Sequence, residues 1–449
     1  MTKIAVLGAG YVTKPAIDYF LDTCGYKVLV TSLKKSEAES LVAGRPGGVA
    51  LGWSVDQVDV LESIVLEADL VLSMIPPHLH VEVAKACIRH GKNMVTTSYA
   101  SPEMEALDKQ CRERDIILLN EIGEDPGLDN MNTMQMIDQV KAEKGRVASV
   151  TSYGAGLPSF ACNNNPFGYK FSWSPLGLIS AAQSPAAYLK GGVRIEVYAR
   201  DLFDHHWLVD LDGIGTFETY PNRDAGKYLD CFGLEPDVSL YRGLLRFPGW
   251  CNTMKYLAEL DLFNTSCIKD FSGMTYAGLI AGVIKADKRS QLKDQVADYL
   301  KLSRNSDFIK RFHWLGMLRK EPIGVKKGTH ADVLVERMTG KLYYTPSERD
   351  MVIIYTELLA EFPGFQEKRV SSLLLEGDPG GDSAMSRSVS LPAAIAAKLI
   401  VENKIALKGV QRPTSKAIYR PVLDEMKRFG YLFAVNNYRQ KGPTRQLQA

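Results

Sequence analysis

Along the first hundred and twenty residues, short apolar runs alternate with stretches whose apolar positions recur every three to four residues. That is the pattern of β-α-β units around a parallel sheet. Lys3 to Leu7, Lys27 to Thr31, Val49 to Trp53, Leu70 to Ile75, Asn93 to Thr97 and Ile116 to Asn120 read as strands. Helical spacing runs between them over Tyr11 to Thr23, Ser36 to Ala43, Val58 to Glu67, Leu79 to Arg89 and Pro102 to Arg114, with Ser101-Pro102 as a helix start because proline is preorganised at the first helical position. Alternating strands and crossovers of this kind predict a doubly wound, Rossmann-type parallel sheet. From Arg146 the character changes. Val147 to Tyr153 alternates like a half-buried strand, and strand-like pieces recur at Val193 to Tyr198, Phe217 to Tyr220 and Tyr241 to Phe247, which predicts a second, mixed α/β domain. Cys251 to Leu318 is mostly helical in pattern, Arg337 to Leu358 and Lys368 to Glu376 return to strand-like runs, and Leu391 to Val401 and Ser415 to Phe429 read as helices.

Composition narrows the partners. The 449 residues carry 54 Lys+Arg against 52 Asp+Glu, a net charge of +2 with no long single-sign run, so the basic footprint of a dedicated nucleic-acid binder is absent and a small molecule is the expected partner. Hydrophobic residues at 45% and charged residues at 24% exclude a disordered or fibrous chain. The seven cysteines form no Cys-x-x-Cys pair and no Cys/His cluster at metal-ligand spacing, so reduced thiols and no metal are expected. No run of about 18 uncharged apolar residues is present, and Met1-Thr2-Lys3 enters an apolar strand directly. The expectation is a cytoplasmic protein with no membrane partner.

Candidate chemistry clusters at predicted strand ends. Gly8-Ala9-Gly10-Tyr11-Val12-Thr13 follows the first strand and opens a helix, the context of a dinucleotide turn: Gly8 permits the tight turn, Gly10 lets the backbone approach a pyrophosphate, and the helix N-terminus faces that anion. Thr13 replaces the usual third glycine. At the end of the second strand, Thr31-Ser32-Leu33-Lys34-Lys35 offers cations where NAD-binding chains place an acid, and the first acid, Glu37, lies inside the next helix, so the balance leans to NADP over NAD. The alternative is that Lys34 and Lys35 form a solvated helix start. Ile75-Pro76-Pro77 ends the fourth strand at the ligand-binding edge, and His78 and His80 behind it read as surface or cap histidines. Glu121 to Asp129, with its Asp125-Pro126-Gly127 turn before a helix at Leu128 to Glu143, is either an active-site loop or an acidic turn with a cap. Tyr220-Pro221-Asn222-Arg223-Asp224 presents an arginine suited to a carboxylate.

Taken together, the Gly8 to Thr13 turn, Thr96-Thr97-Ser98-Tyr99 with Ser101-Pro102, Glu121-Ile122-Gly123 with Asp125 to Asp129, Asn165-Pro166 with Gly168 to Ser174, Tyr220 to Asp224, Gly381 to Met385 and Lys416 to Pro421 resemble saccharopine dehydrogenase of the glutamate-forming type, also called saccharopine reductase. The resemblance spans nearly the whole chain. It implies a Rossmann domain over 1–125 completed by 385–449, an α/β substrate-binding and dimerisation domain over 126–250 and 330–384, and an inserted helical domain over 251–329. It implies NAD(P)-dependent oxidation of saccharopine to glutamate and 2-aminoadipate 6-semialdehyde, or the reverse, in a homodimer. Ser98, Tyr99, Asp125, Arg223 and, less directly, Lys170 would contact substrate, with Tyr99 and Asp125 as the catalytic candidates. Gly8, Gly10, Tyr11, Val12, Thr13, Thr31, Ser32, Lys34, Ile75, Pro76, Ser98, Asp125, Leu128, Asp129, Trp173 and Ser174 would lie near the cofactor. One departure stands out: the family reads Ser-Tyr-Cys-Gly-Gly where this chain reads Ser152-Tyr153-Gly154-Ala155-Gly156. The alternatives are a related reductase of another carboxyalkyl amine, such as a carboxyspermidine-type substrate, and a nucleotide-binding homologue that has lost the chemistry.

Overall fold

A computed structural model describes residues 1–287 and 290–441. Where the sequence suggests three modules, the chain divides into two compact units: Met1–Gly156, Tyr228–Ser239 and the chain from Met351 form the first, and Leu157–Lys227 with Leu240–Asp350 form the second. Residues 442–449 of the expected closing segment, and 288 and 289 of the expected helical insert, lie outside the described residues.

The first unit is built on the strands β1 (Lys3–Leu7), β2 (Lys27–Ser32), β3 (Gly48–Gly52), β4 (Leu70–Ser73), β5 (Asn93–Thr96) and β6 (Ile117–Leu119). They pair in the order β3-β2-β1-β4-β5-β6, all parallel, and Gly409–Gln411 adds a seventh strand beside β6. The central strands are apolar without alternation because both faces are covered: Ile4, Val6, Leu7, Leu70, Val71 and Leu72 are all fully buried. Strand order reverses between β1 and β4, which opens the crevice where sheets of this topology hold ligands. The crossovers are α1 (Lys14–Asp18), α2 (Lys35–Val42), α3 (Val58–Glu67), α4 (His80–His90), α5 (Pro102–Glu105) and α6 (Asp108–Glu113). The first is shorter than its apolar spacing predicts. Tyr11 and Val12 stay in the turn, Thr13 takes the cap position with Pro15 just inside, and the helix passes into a π-helical turn over Tyr19–Thr23. Ser101 caps α5 by accepting from the Met104 N–H at 3.2 Å, as its sequence predicts.

From β6 the chain enters α7 (Leu128–Ala142) and then the long strand β7 (Arg146–Pro158), which in this unit neighbours Asp350–Phe362, followed outward by Phe365–Glu376 and Ala434–Lys441. The helix Ala384–Val401 packs against α1 and the sheet. Its 18 residues are long and apolar enough to cross a membrane by composition, yet it is a core helix, buried along most of its length.

The second unit holds the antiparallel strands Ala186–Lys190, Val193–Val197, Trp207–Leu211, Gly215–Pro221 and Ser239–Arg246, and the helices Pro175–Ala182, Trp250–Glu259, Tyr276–Ile284, Leu292–Tyr299, Asp307–Leu315 and His330–Thr339. The run expected as strand from Arg337 to Leu358 is corrected here. Thr329 and Asp332 form a reciprocal capping box that opens a helix carrying Arg337, Met338 and Thr339, turns follow, and strand begins only at Asp350.

Candidate active site

The dinucleotide turn has the geometry its sequence predicts. Gly8 sits at φ +109°, and a Cβ there would lie 2.7 Å from the Met74 carbonyl oxygen, so only glycine lets the end of β1 pass the end of β4. Its N–H donates to the Thr31 carbonyl at 3.0 Å, tying the turn to β2. Gly10 is exposed, with no atom within 4 Å of where its Cβ would stand, which leaves the close approach that a pyrophosphate needs. The residues present therefore fit a dinucleotide. Tyr11 is exposed, while Thr13 and Thr31 are buried with their hydroxyl oxygens unpartnered among the described residues. At the end of β2 the first acid reaches further back than its place in α2 suggests. Glu37 accepts from Ser32 Oγ at 2.6 Å, and the exposed Lys34 ammonium lies 3.7 Å from it, so an acid and a cation stand together there.

The loops after β4, β5 and β6 bring the next candidates together. Ile75 and Pro76 lie on the segment leading into a short 3-10 turn, and His78 on that turn is exposed. His80, expected as a surface or cap residue, is buried at the start of α4. Its Nδ1 lies 2.8 Å from Ser73 Oγ, and its Nε2 lies 2.9 Å from Ser98 Oγ and 3.2 Å from Thr96 Oγ1. Burial, helped by the nearby His78, pushes its pKa from the usual 6.5 down to about 4. The unfolded chain therefore binds one more proton than the folded one between these values. The contribution is fully present above pH 6.5 and is lost as pH falls toward 4, amounting to about 3 kcal/mol. Chemical unfolding measured from pH 7 to 4 should show this step in the wild type and lose it in His80→Gln; equal slopes would contradict it.

The Ser98 to Ala100 loop is held from its other side by Glu121, a buried carboxylate at φ +59°. Glu121 accepts from the Ala100 N–H at 3.1 Å, from Arg412 Nε at 2.9 Å and from Tyr228 OH at 2.6 Å. Between these anchors Tyr99 donates its phenol to Asp125 Oδ1 at 3.2 Å. Asp125 is half-buried and precedes a cis proline. Leu128 and Asp129, expected near the cofactor, are both buried. The Asp129 carboxylate accepts from the Gly127 N–H at 2.7 Å, which steadies the Asp125 turn.

Gly154 on β7 explains the departure from the family pattern. A Cβ at this position would lie 2.6 Å from Asp125 Oδ2 and 3.0 Å from Asp125 Cβ. The space that a side chain at 154 would need is filled by the Asp125 carboxylate.

Lys170, Trp173, Ser174 and Arg223 belong to the second unit. Lys170 is buried and paired with Glu348 at 2.5 Å. Burial alone would raise the Glu348 carboxyl, but Lys170, the Thr345 N–H and Asn164 outweigh it and hold the group down at about 2. The Lys170 ammonium is thus engaged within the protein. Trp173 donates its indole N–H to Tyr169 OH at 2.7 Å, and Ser174 caps the helix Pro175–Ala182. Arg223 has φ +57° and donates to Ser184 Oγ, while its neighbour Asp224 is taken by both arms of Arg194 at 2.9 and 3.1 Å.

Arg246 is the residue that sequence reasoning missed. It is 4% exposed, its guanidinium lies over the rings of Tyr169 at 5.5 Å and Trp250 at 5.6 Å, and it donates to the Leu245 carbonyl at 2.7 Å. Its Nε has no partner and no carboxylate pairs with it among the described residues. A buried cation without a counter-ion is costly, and an anionic ligand would repay that cost. The signal was two arginines, Arg242 and Arg246, at even spacing and therefore on one face of an otherwise apolar strand.

Comparison with known proteins agrees with this reading. The family model described as saccharopine dehydrogenase NADP binding domain matches residues 4–119, and the saccharopine dehydrogenase C-terminal domain matches residues 123–431. The chain belongs to the saccharopine dehydrogenase family. It is 30% identical over 440 residues to the saccharopine dehydrogenase [NADP(+), L-glutamate-forming] of Schizosaccharomyces pombe, covering 96% of this chain and 98% of that protein. It is also 34% identical over 447 residues to the mitochondrial alpha-aminoadipic semialdehyde synthase of Bos taurus, covering 97% of this chain and 48% of that protein, so it spans about half the length of that relative. Among solved structures, the apo histidine-tagged saccharopine dehydrogenase (L-Glu forming) from Saccharomyces cerevisiae superposes with a TM-score of 0.86 at 28% identity, covering 98% of this chain and all of that one. A homospermidine synthase from Legionella pneumophila shares the fold at a TM-score of 0.57 and 12% identity. The family's architecture is thus the one built here from its strands.

Proposed function

We propose that the chain is an NADP-dependent saccharopine dehydrogenase that interconverts saccharopine with glutamate and 2-aminoadipate 6-semialdehyde. The observation that carries this is the Asp125 carboxylate, fixed by Tyr99 and lodged against Gly154, on the loop that follows the last crossover strand of a dinucleotide sheet. The Gly8 to Thr13 turn would hold the dinucleotide, which would supply a hydride acceptor for the carbon bearing the bridging secondary amine. Asp125 balances the positive charge that develops on nitrogen and orients the water that adds to the carbon. Tyr99 keeps that carboxylate from rotating away by donating its phenol proton to it. Ser98 supplies a hydroxyl from the same loop. Saccharopine carries three carboxylates and needs cations, for which Arg223 and Arg246 are the candidates; Lys170 pairs with Glu348.

The reading of a silent homologue rested on the missing cysteine. It loses that support because Asp125 occupies the room in question. Lys34 at the end of β2 favours the 2′-phosphate of NADP, and the Ser32-Glu37 pair beside it makes a parallel assay with NAD informative.

Purified protein given saccharopine and NADP should produce reduced cofactor and glutamate in equal amounts. Arg223→Ala should raise KM for saccharopine about tenfold or more while cofactor affinity stays within twofold. No turnover with either dinucleotide would overturn the functional reading, and an unchanged KM would remove Arg223 from it.

A further inference from the structure

Resting on the reading of Ser98 as a substrate contact, we propose that His80 is a positioning residue that sets the hydrogen-bond polarity of Ser98. Its Nε2–H donates to Ser98 Oγ, so that the Ser98 hydroxyl keeps its own proton for a substrate carboxylate. The imidazole lies between two serines at the ends of neighbouring strands, with Ser73 Oγ 2.8 Å from Nδ1 and Ser98 Oγ 2.9 Å from Nε2. Both His80 and Ser73 are buried, and Ser98 is half-buried. The low pKa of His80 keeps the ring neutral at ordinary pH, so only one of its nitrogens carries a proton.

That single proton decides the direction of the whole chain. If it sits on Nδ1, it points at Ser73, and the bare Nε2 accepts a hydrogen bond from the Ser98 O–H, the nearer of its two hydroxyl neighbours at 2.9 Å against 3.2 Å for Thr96. Ser98 can then offer a ligand only lone pairs, which a carboxylate repels. If it sits on Nε2, Ser73 donates to Nδ1, Nε2–H is shared between Ser98 at 2.9 Å and Thr96 at 3.2 Å, and the Ser98 O–H is released outward. Thr96 Oγ1 also lies 3.4 Å from the Ser98 N–H, so the same cluster fixes the serine backbone. Only the second arrangement lets Ser98 donate to a substrate carboxylate.

Two measurements test this. In 15N-labelled wild-type protein, two-bond proton-nitrogen correlations read the tautomer of His80, its signals identified by their loss in His80→Gln. Nε2–H is expected, and Nδ1–H overturns the proposal whatever the substrate proves to be. In kinetics, His80→Gln can place an amide N–H near the Nε2 position and should keep KM for saccharopine within a few fold of wild type. His80→Asn places its amide near Nδ1 and should raise that KM about tenfold with dinucleotide affinity unchanged. In a Ser98→Ala background the two variants should become equal. Equal KM values in the single variants, or a difference that survives in Ser98→Ala, would overturn the proposal. Failure of the wild type to turn over saccharopine would instead count against the functional reading, and the tautomer would still decide this one.

Discussion

Replacing Gly154 by cysteine is expected to lower kcat/KM about a hundredfold, although cysteine is the residue the family pattern places there. The collision begins at Cβ. An atom in that position would lie 2.6 Å from Asp125 Oδ2, well inside van der Waals contact, and 3.0 Å from Asp125 Cβ. Neither partner retreats easily. Gly154 lies within the long strand β7, and Asp125 is followed by Pro126 and the Gly127 turn that Asp129 pins. The carboxylate must therefore swing away from Tyr99, whose phenol holds it at 3.2 Å. Displacing a reacting group by about 1 Å costs on the order of a hundredfold in rate. Because the obstacle is Cβ, Gly154→Ala should do nearly as much harm as Gly154→Cys. In an Asp125→Ala background, where the obstacle meets nothing, adding Gly154→Ala should cost little more. Steady-state kinetics on the four proteins, with thermal melts to confirm folding, checks this. Wild-type activity in Gly154→Ala would show that Asp125 does not need its present seat.

The same position shows what a sequence can and cannot display. Read along the chain, Gly154 is a missing thiol. In the fold it is room for a carboxylate 29 residues earlier in sequence, a relation that no local pattern carries. The parallel sheet was legible because strands buried on both faces read as continuous apolar runs, and Gly8 and Ser101 were legible because turns and caps are decided within a few residues. The strand Gly409–Gln411 was not. It is three residues long and pairs with β6 across almost 300 positions, so its place depends on tertiary pairing alone. His80 reads as one more polar residue at a helix start, and its burial follows from β4 and β5 ending on either side of it. For His330–Thr339 the signal was present: Thr329-His330-Ala331-Asp332 is a capping box, and the helix it opens runs on through Arg337 to Thr339, where the strand-like run was expected to begin. Lys170 differs from expectation, and Arg246 was missed, for a related reason. A cation is available to an anionic ligand only if the fold has not already paired it, and pairing is invisible in sequence.

Arg246→Met is expected to make the protein more stable and far weaker toward its substrate. In the wild type the guanidinium is buried beneath Tyr169 and Trp250, donates to the Leu245 carbonyl, reaches the Tyr220 phenol, and forms no ion pair among the described residues, the Glu218 carboxylate across the strand pair being engaged by the Gly249 and Cys251 N–H groups. The two rings recover part of the cost of desolvating the charge, and the remainder stays as a strain on the unliganded fold. Methionine has a comparable reach, no charge to desolvate, and a sulfur that packs well on aromatic rings. The free protein should gain about 1–3 kcal/mol, seen as a higher melting temperature. The bound state should lose a buried charge pair, worth roughly a hundredfold in KM for saccharopine, with kcat changing less. Saturating saccharopine should therefore raise the melting temperature of the wild type and leave that of Arg246→Met nearly unmoved. A variant that melts lower and keeps its KM would show that Arg246 serves the packing of Tyr169 and Trp250 and holds no ligand. Higher stability joined to lower affinity is the signature of a fold that leaves a buried cation unpaired for an anion arriving from outside.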